Sequence, residues 1–443
     1  MAKPRPSKTL QRELFRVALD KIINPDHEMV LLADKIDWQA ITKYVDKQFD
    51  NGVGQPPLQS RLVIGIIILK YLDNLSDDVV IKRWTENPYY QYFCGMKYFQ
   101  HELPCHPSSL SRWRKRISRG GAEAILKQSI KMIQEGNFVK KEEFQEIFID
   151  TTVQEKNICY PTEAKLLSKA RDLLVKKAKK ENIILRQTYE KETKSCLISY
   201  GRNKFHKNRQ EAKRILKRLR TMVSRLLRDV TRKSQTPSDE LANAIALVTR
   251  LLNQKKHSKD KIYSLHAPEV RCIAKGKAHK KYEFGNKVSV STTINHHIVV
   301  GIHAFYENHY DEITLSDSLF QIRDVMGLWA KNAYVDRGYK GYDGHIFGTK
   351  VHIQGGKNQS AEIKSKLKQR ARIEPVISHL KADHRMDRNR LHHTQGDILN
   401  CLMAGCAFNL RKLMKWLKNE VFYLYFYIKV DLFVGARPRQ LAL

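Results

Sequence analysis

The sequence lacks an apolar run long enough to cross a membrane. Its most apolar stretch, RLVIGIIILKYL at 61–72, has only the length of a buried helix, and the apolar stretch at 421–434 is interrupted by Lys429 and Asp431. The opening residues MAKPRPSKTLQREL contain no apolar core of the kind found in signal peptides. We therefore expect no membrane partner and a location in the cytosol.

Closely spaced cysteine pairs are also missing. The seven cysteines are scattered and form no C-x-x-C motif, which argues against a disulfide framework. Cys94, His101, Cys105 and His106 lie close together, but their spacing fits no standard zinc site. We expect these cysteines to be buried or idle rather than zinc ligands.

Acidic residues are scarce relative to basic ones. The 443 residues include 80 Lys and Arg against 46 Asp and Glu, a net charge of +34. A field of that sign attracts polyanions, and the usual polyanion of a soluble protein is nucleic acid. The apolar fraction of 42% is ordinary for a globular protein, and the length allows two or three domains.

The distribution of charge and periodicity divides the chain. Residues 161–260 are strongly helical and contain 27 Lys and Arg against 10 Asp and Glu. A helix face of nearly one sign repels itself unless a polyanion lies against it. We predict four regions: a helical N-terminal domain at 1–140, a mixed domain of strands and helices at 141–160 and 261–415, a basic helical insertion at 161–260, and a C-terminal tail at 416–443.

Strand signals fall on both sides of the insertion. A short β-prone run ends at Asp150, and a second ends at Asp336. The other signals are an alternating pair with a turn between them (286–295 and 298–306) and a strand at 349–353, with helices predicted at 311–329, from 360 to about 386, and after 393. This order predicts an α+β or α/β fold, with a mixed sheet flanked by helices.

A basic helix is predicted in HPSSLSRWRKRISRGG at 106–121. Ser108 or Ser109 is a suitable N-cap, and Gly120-Gly121 a suitable end. Such a helix suits insertion into a DNA groove or along a backbone. The alternative is a solvated basic face. The side chains expected to contact DNA are those of Arg112, Arg114, Lys115 and Arg116.

Three acids stand out by their positions. Asp150 and Asp336 follow strand runs, and Glu374 lies on the helix after the last strand. Each acid alone is more simply explained as a turn former or a surface charge. Together they would repel one another unless cations were present, which favours a site for Mg²⁺ or Mn²⁺. Two such ions can activate the attacking oxygen and stabilise the leaving one at phosphorus.

Four motifs carry a resemblance to a known family. They are FIDTTVQEKNICYPTEAKLLSKARDLL (148–174), CIAKGKAHKKYEFGNKVSVST (272–292), AYVDRGYKG (333–341) and RARIEPVISHLKADHRM (370–386). Together with the helical N-terminal part, they resemble the DDE transposases of bacterial insertion sequences over about residues 30–412. The resemblance implies an RNase H-like catalytic sheet, with Asp150, Asp336 and Glu374 as the catalytic and metal-binding acids.

The same resemblance implies a signature around the third acid: Tyr, two residues, Arg, three residues, Glu, six residues, Lys. Arg370, Glu374 and Lys381 hold the last three places, while Leu367 stands where the tyrosine is expected. On a continuous helix these three charged residues share one face, from which the two cations would hold the scissile phosphate. The alternative is a local ion pair between Arg370 and Glu374. Pro375 predicts a bend or a break beside the glutamate.

Two other groups of residues are weaker candidates. Lys275, Lys277 and Lys281 crowd a loop that enters a strand, and Arg337 follows the second acid, so all four are expected to contact DNA phosphates. His303, Glu307, His309 and Asp311 resemble a metal cluster on paper. We expect capping instead, with Asp311 as a helix N-cap.

The resemblance implies a transposase that cuts double-stranded DNA at the terminal inverted repeats of its own element. Water and then the freed 3′-OH would attack phosphorus at two metal ions, joining the ends to target DNA in the bacterial cytosol or nucleoid. Paired ends imply a homodimer on DNA. Two alternatives remain: a metal-dependent nuclease of the same fold, and a catalytically silent DNA-binding protein derived from a transposase.

Overall fold

A computed structural model describes residues 16–47, 58–203, 208–255, 257–258, 260–274, 280–307, 310–340, 344–356 and 359–435. Its contacts divide the chain into two compact units. The first, here the main unit, comprises residues 1–155 and 287–443. The second, here the insertion unit, comprises residues 156–286.

The secondary structure is mixed, as the sequence predicts. The helices are α1 (Glu28–Lys35), α2 (Trp38–Asp46), α3 (Ser60–Leu72), α4 (Asp77–Glu86), α5 (Pro88–Phe93), α6 (Ser109–Glu135), α7 (Glu163–Lys180), α8 (Glu190–Asn203), α9 (Arg209–Lys233), α10 (Asp239–Asn253), α11 (Asp311–Met326), α12 (Ala361–Gln369), α13 (Ile373–Ala382) and α14 (His393–Gly435). The strands are β1 (Glu146–Lys156), β2 (Arg271–Ala274), β3 (Tyr282–Thr293), β4 (Val299–Ala304), β5 (Asn332–Val335), β6 (Gly344–Ile346), β7 (Thr349–Ile353) and β8 (Arg388–Asn389). Short 3₁₀ helices lie at Leu19–Lys21, Lys141–Gln145, Arg337–Tyr339 and Arg370–Arg372.

Side-chain caps and apolar faces explain the N-terminal helices. Asp37, Ser76 and Asn87 each accept a hydrogen bond from the backbone of the helix that they precede. Helix α3 is apolar around almost its whole circumference and is buried nearly throughout, so it forms the centre of the N-terminal core. These helices belong to the same hydrophobic cluster as the sheet.

The sheet of the main unit is mixed. Along it the order is β3, β1, β5, β7 and β6, with β4 paired to β3 and β8 paired to β1. The hairpin predicted at 286–306 is confirmed, because β3 and β4 pair antiparallel. Strands β1 and β5 pair in parallel, as do β5 and β7. Parallel strands place the residues that follow them at the same edge, where ligands of open α/β sheets usually bind.

Helix α14 packs closely against the hairpin. A side chain at Gly405 would begin 3.1 Å from the side chain of Ile302, so a glycine allows the helix and strand to approach. The amide group of Asn409 both donates to the carbonyl of Val299 and accepts from its backbone N–H, each at 2.9 Å. Buried backbone groups at the start of β4 are thereby satisfied.

The insertion unit is built mainly of helices, as predicted for residues 161–260. Helix α9 buries one stripe that includes Leu219, Met222 and Leu226, and exposes Arg and Lys on its other faces. Helices α7, α8 and α10 contribute to the same core. Strand β2 pairs antiparallel with the first residues of β3.

Two helix predictions are corrected. Helix α6 does not stop at Gly120-Gly121 but continues to Glu135, with one non-helical residue, Ser118, at φ 54°. Its N-terminus has no side-chain cap, because the Ser108 hydroxyl lies 2.8 Å from Nδ1 of His106 instead. Helix α14 extends into the tail, for which the sequence shows no clear signal.

Candidate active site

Two of the three predicted acids lie side by side in the sheet. In the parallel ladder of β1 and β5, Phe148 is paired with Tyr334. Continuing that register by two residues places Asp150 beside Asp336, on neighbouring strands that lie about 4.8 Å apart. The sequence predicts that Asp150 ends its strand, but β1 continues to Lys156. Asp336 does follow directly after β5.

Asp150 is a mostly buried carboxylate paired with an arginine. Its Oδ2 accepts a hydrogen bond from Nη1 of Arg370 at 2.9 Å, and its Oδ1 accepts one from the backbone N–H of Thr151 at 2.8 Å. Burial raises the pKa of Asp150; the negative charge of Asp336 adds to that rise and Arg370 opposes it. Asp336 is therefore close enough to influence the ionisation of Asp150.

Asp336 is held by the turn that it starts. Its Oδ1 accepts a hydrogen bond from the backbone N–H of Gly338 at 2.8 Å, capping the 3₁₀ helix Arg337–Tyr339. A side chain at Gly338 would begin 3.0 Å from Oδ1 of Asp336 and 2.9 Å from Oδ2 of Asp311. Two carboxylates thus flank one glycine, which leaves the space between them open.

Asp311, for which the sequence predicts a helix N-cap, lies at this site instead. It is the first residue of α11 and not its N-cap, a position that Tyr310 occupies. Its Oδ1 accepts hydrogen bonds from the Thr151 hydroxyl at 2.7 Å and from Nζ of Lys287 at 3.0 Å. Lys287 is buried on β3, so the site contains a second cation as well as a further acid.

The other members of the predicted His303 group do not join Asp311. The ring of His303 packs at 4.7 Å from that of Phe305, and burial lowers its pKa. Glu307 is exposed, and His309 lies outside the described residues. Among the residues that the structure describes, no three His, Cys, Asp or Glu side chains converge as a metal site.

Tyr339 is the buried aromatic residue of the site. Its ring is fully buried, and burial raises the pKa of its hydroxyl well above the ordinary value. The charges of Asp311, Asp150 and Asp336 raise it further. A neutral phenol therefore lies within the electrostatic field of all three carboxylates.

Glu374, the third predicted acid, is placed differently. It is the second residue of α13 and its side chain is exposed. No described side chain or backbone N–H makes a hydrogen bond or an ion pair with its carboxylate, and its carbonyl oxygen accepts a bond from the Ser378 hydroxyl at 3.0 Å. The structure thus brings Asp150 and Asp336 together without assembling Glu374 with them.

The predicted helix face of Arg370, Glu374 and Lys381 is corrected. Helix α12 ends at Gln369, a 3₁₀ turn covers Arg370–Arg372, and α13 begins at Ile373. Pro375 therefore lies in the first turn of α13, where a missing N–H leaves no helical bond unmade. Arg370 pairs with Asp150 rather than with Glu374, so the expected local ion pair is also wrong.

Leu367 has a structural role at the place where the resemblance expects a tyrosine. It is buried in a small cluster with Phe148 and Tyr334, which joins α12 to the face of the sheet. Position 367 is therefore used for packing in this chain. The same cluster holds the Arg370 turn against β1, because Ile373 belongs to it as well.

The predicted DNA contacts of α6 are only partly available. Arg114 is buried, and its two Nη atoms bind the two carboxylate oxygens of Asp77 at 2.9 and 2.8 Å. Its assignment as a DNA contact is corrected to a structural ion pair. Arg112 and Lys115 are exposed, while the Arg116 guanidinium lies 5.4 Å from the centre of the Trp113 ring.

The remaining predicted contacts are scattered. Arg337 is exposed, and its guanidinium would lie 3.2 Å from a side chain at Gly355. Lys381 is half-buried on α13. Lys281 is exposed in the insertion unit, with its Nζ 5.6 Å from the Tyr282 ring centre. The predictions for Lys275 and Lys277 fall outside the described residues.

The N-terminal helices match a known family model. Residues 17–116 match the family model described as a transposase domain, DUF772. A protein of Rhizobium meliloti, described as uncharacterized protein ORF8 in the nfe locus, is 41% identical over 198 residues, which are 45% of this chain and 95% of that protein. The chain contains a transposase domain. No solved structure matches it.

The transposase domain covers most of the described N-terminal helices. It includes α1 to α5 and the first residues of α6, up to Arg116. The acids at the sheet edge lie beyond it. In the described part of the chain, no helix has the length and apolarity needed to cross a membrane.

Proposed function

We propose that this protein is a DNA transposase that cleaves DNA at the ends of its insertion sequence and joins the 3′-OH ends to target DNA. One observation carries the proposal beyond the family. The register of β1 and β5 brings Asp150 beside Asp336, and the charge of Asp336 adds to the rise that burial causes in the pKa of Asp150. Neighbouring carboxylates can hold the divalent ions that assist phosphodiester transfer.

We further propose that the sheet is RNase H-like. The support is its order: an antiparallel pair, β4 and β3, lies on one side of β1, and parallel strands β5 and β7 lie on the other. The acids are then on the central strand and on its parallel neighbour. Helix α13, which follows β7 and α12 in the chain, carries the third predicted acid.

A divalent cation is part of this proposal, and the residues fit it in part. Asp150 and Asp336 offer the oxygen ligands that Mg²⁺ and Mn²⁺ prefer, and a cation would relieve the repulsion that raises the Asp150 pKa. These two residues would hold it, with Glu374 as the proposed third ligand. When bound, such ions stabilise charge on the attacking and leaving oxygens of the displaced phosphodiester.

Arg370 is suited to contact the scissile phosphate. Its Nη1 is used by Asp150, but its Nε is buried and has no hydrogen-bond partner among the described residues. A buried N–H without an acceptor costs free energy, which a phosphate oxygen would recover. Lys287 neutralises Asp311 next to it, so the chain supplies two cations against the charge of the acids and the DNA.

Binding of the terminal inverted repeats is assigned to the N-terminal helices and to the basic insertion. Arg112 and Lys115 are exposed on α6. In the insertion unit, a cavity of about 450 Å³ is lined by Arg186, Arg225 and other arginines around Asp229. Exposed arginines of this kind hold backbone phosphates without reading sequence. Two DNA ends held together imply a homodimer on DNA.

One assay tests the proposal. The full chain is incubated with Mg²⁺, labelled DNA from the ends of its own gene region and a supercoiled target plasmid. Joined product supports transposition, while cleavage alone supports a metal-dependent nuclease. Asp336→Asn should abolish both, whereas Asp324→Asn, which changes an exposed acid of α11, should abolish neither. Retardation of the DNA without any cut, unchanged by Asp336→Asn, would indicate a silent DNA-binding protein.

A further inference from the structure

A large basic cavity lies beside α13 in the main unit. Its volume is about 950 Å³, and its wall combines residues of α3, α4, α13 and α14 with the turn between β3 and β4. We propose that this cavity, here the α13 cavity, binds a phosphate group of a nucleotide, carried either by a DNA strand or by a free nucleotide. The proposal does not depend on the acid site.

Unpaired positive charge is the first reason. Arg372, Lys412 and Lys415 line the cavity, and none has a carboxylate within ion-pair distance among the described residues. Arg372 donates only to the amide oxygen of Gln369, at 3.3 Å, and Lys412 donates to the carbonyl oxygen of His296. These three cations are therefore available to an anion.

The acids in the wall do not cancel this charge. Asp73 is bound by Arg411 at 2.8 Å, and Asp383 is bound by His379 at 2.7 Å. A third acid, Glu143, lies behind the β3–β4 turn and accepts hydrogen bonds from its backbone and from His296. Each acid already has a partner of its own.

The cations also crowd one another. Burial lowers the pKa of His297, and the charges of Lys412 and Arg372 lower it further. Burial likewise lowers the pKa of Lys412, with Lys415 adding to the effect and Glu143 opposing it. Like charges held this close together favour an anion between them. Nδ1 of His297 is buried and has no hydrogen-bond partner in the described part of the chain.

Part of the wall is apolar. Leu72, Val376 and Phe408 line the same cavity as the cations. An inorganic anion would leave these apolar surfaces in contact with water. A nucleotide has a flat, largely apolar base as well as a phosphate, so its base can cover them. The volume falls within the range of small-molecule sites, roughly 300–1,000 Å³. The combination therefore suits a nucleotide better than a bare ion.

Binding measured without metal tests the inference separately from catalysis. The full chain is titrated in EDTA against fluorescent single-stranded DNA, duplex DNA and a fluorescent ATP analogue. The test variant is Arg372→Glu with Lys415→Glu, both exposed positions. The control is Lys364→Glu with Lys418→Glu, two exposed lysines outside the cavity with the same change of charge. Circular dichroism and the melting temperature verify that each variant folds.

We expect the test pair to weaken binding of at least one probe by tenfold or more, relative to the control pair. If the probe is DNA, a plot of log affinity against log salt should become less steep. The change should correspond to roughly one to two lost phosphate contacts, at about 0.7–0.9 per contact. Loss for ATP alone identifies a free nucleotide as the ligand. Equal losses in the test and control pairs, or none in either, would overturn the proposal. Lys415→Glu alone provides the same comparison if the double variant does not fold. Binding in EDTA requires no catalysis, so a failure of the catalytic proposal would not be mistaken for a failure of this one.

Discussion

Arg370 pairs with Asp150, which lies 220 residues earlier in the chain, and not with Glu374, four residues later. Both side chains of the pair are mostly buried, with exposed fractions of 11% and 17%. An ion pair this deep is costly to break from one side, because the remaining charge stays buried without a partner. The pair therefore ties the turn before α13 to the central strand of the sheet.

A double-mutant cycle measures this coupling. Arg370→Met should lower the free energy of unfolding by about 3 kcal/mol near neutral pH, since it leaves the Asp150 carboxylate unpaired. Adding Asp150→Asn should restore part of that loss, so the two effects should not be additive. Arg372→Met, at a neighbouring exposed position, is the control and should cost little.

The same variant predicts a pH dependence. The folded-state pKa of Asp150 is raised above the unfolded value, so its contribution to stability is present at low pH and is lost as pH rises through the folded pKa. Removing Arg370 raises that pKa further. The cost of Arg370→Met should therefore be smallest below about pH 4 and grow towards neutrality. A cost independent of pH, measured by urea unfolding, would contradict this account.

Gly338→Ala tests the space between the two carboxylates. The new methyl group would begin 2.9 Å from Oδ2 of Asp311 and 3.0 Å from Oδ1 of Asp336, so at least one carboxylate must move. We expect DNA cleavage to fall by about a hundredfold, as expected when catalytic groups are displaced by about 1 Å. The melting temperature should change little. Gly201→Ala, where a methyl group meets nothing within 4 Å, should retain full cleavage.

Arg114 and its neighbour Lys115 should behave in opposite ways. Arg114→Met removes both hydrogen bonds to Asp77 and should cost about 3 kcal/mol of stability, seen as a lower melting temperature. Lys115→Met changes an exposed residue and should leave stability unchanged while weakening DNA binding at low salt. Equal stability in the two variants would show that the Arg114 pair does not support the fold.

The free energy of unfolding should increase at alkaline pH because Lys70 is buried. It is buried beside Asp77, at 2.6 Å, and burial lowers its pKa from 10.5 to about 8. Between these two values the unfolded chain holds a proton that the folded chain has released, so the free energy of unfolding increases with pH by up to about 3 kcal/mol. Urea unfolding of the native chain and of Lys70→Met, at pH 7.5 and pH 10, isolates this contribution. A constant difference between the two proteins would contradict it.

Sequence patterns predicted the sheet edge because local signals define it. Apolar runs before Asp150 and Asp336 placed both acids on strands, and alternation predicted the β3–β4 hairpin. No local pattern predicts the parallel pairing of β1 and β5, because the two strands are far apart in the chain. The amphipathic stripe of α9 was visible for the same reason as the hairpin, namely its period.

The residues that sequence reasoning misplaced depend on distant partners. Asp311 joins the site through Thr151 and Lys287, and neither pairing leaves a trace in spacing. The sequence does not distinguish Arg114 from an exposed arginine, because its partner Asp77 is distant in the chain.

The register of β1 against β5 has a consequence for the history of such genes. Side chains along a strand alternate between faces, so losing one codon in frame between residues 146 and 149 would turn Asp150 away from Asp336. The buried positions of the strand would be exchanged at the same time, and the chain would have to repack or slip back. A copy of this gene can therefore be silenced by three nucleotides, with every acid still present in its translated sequence.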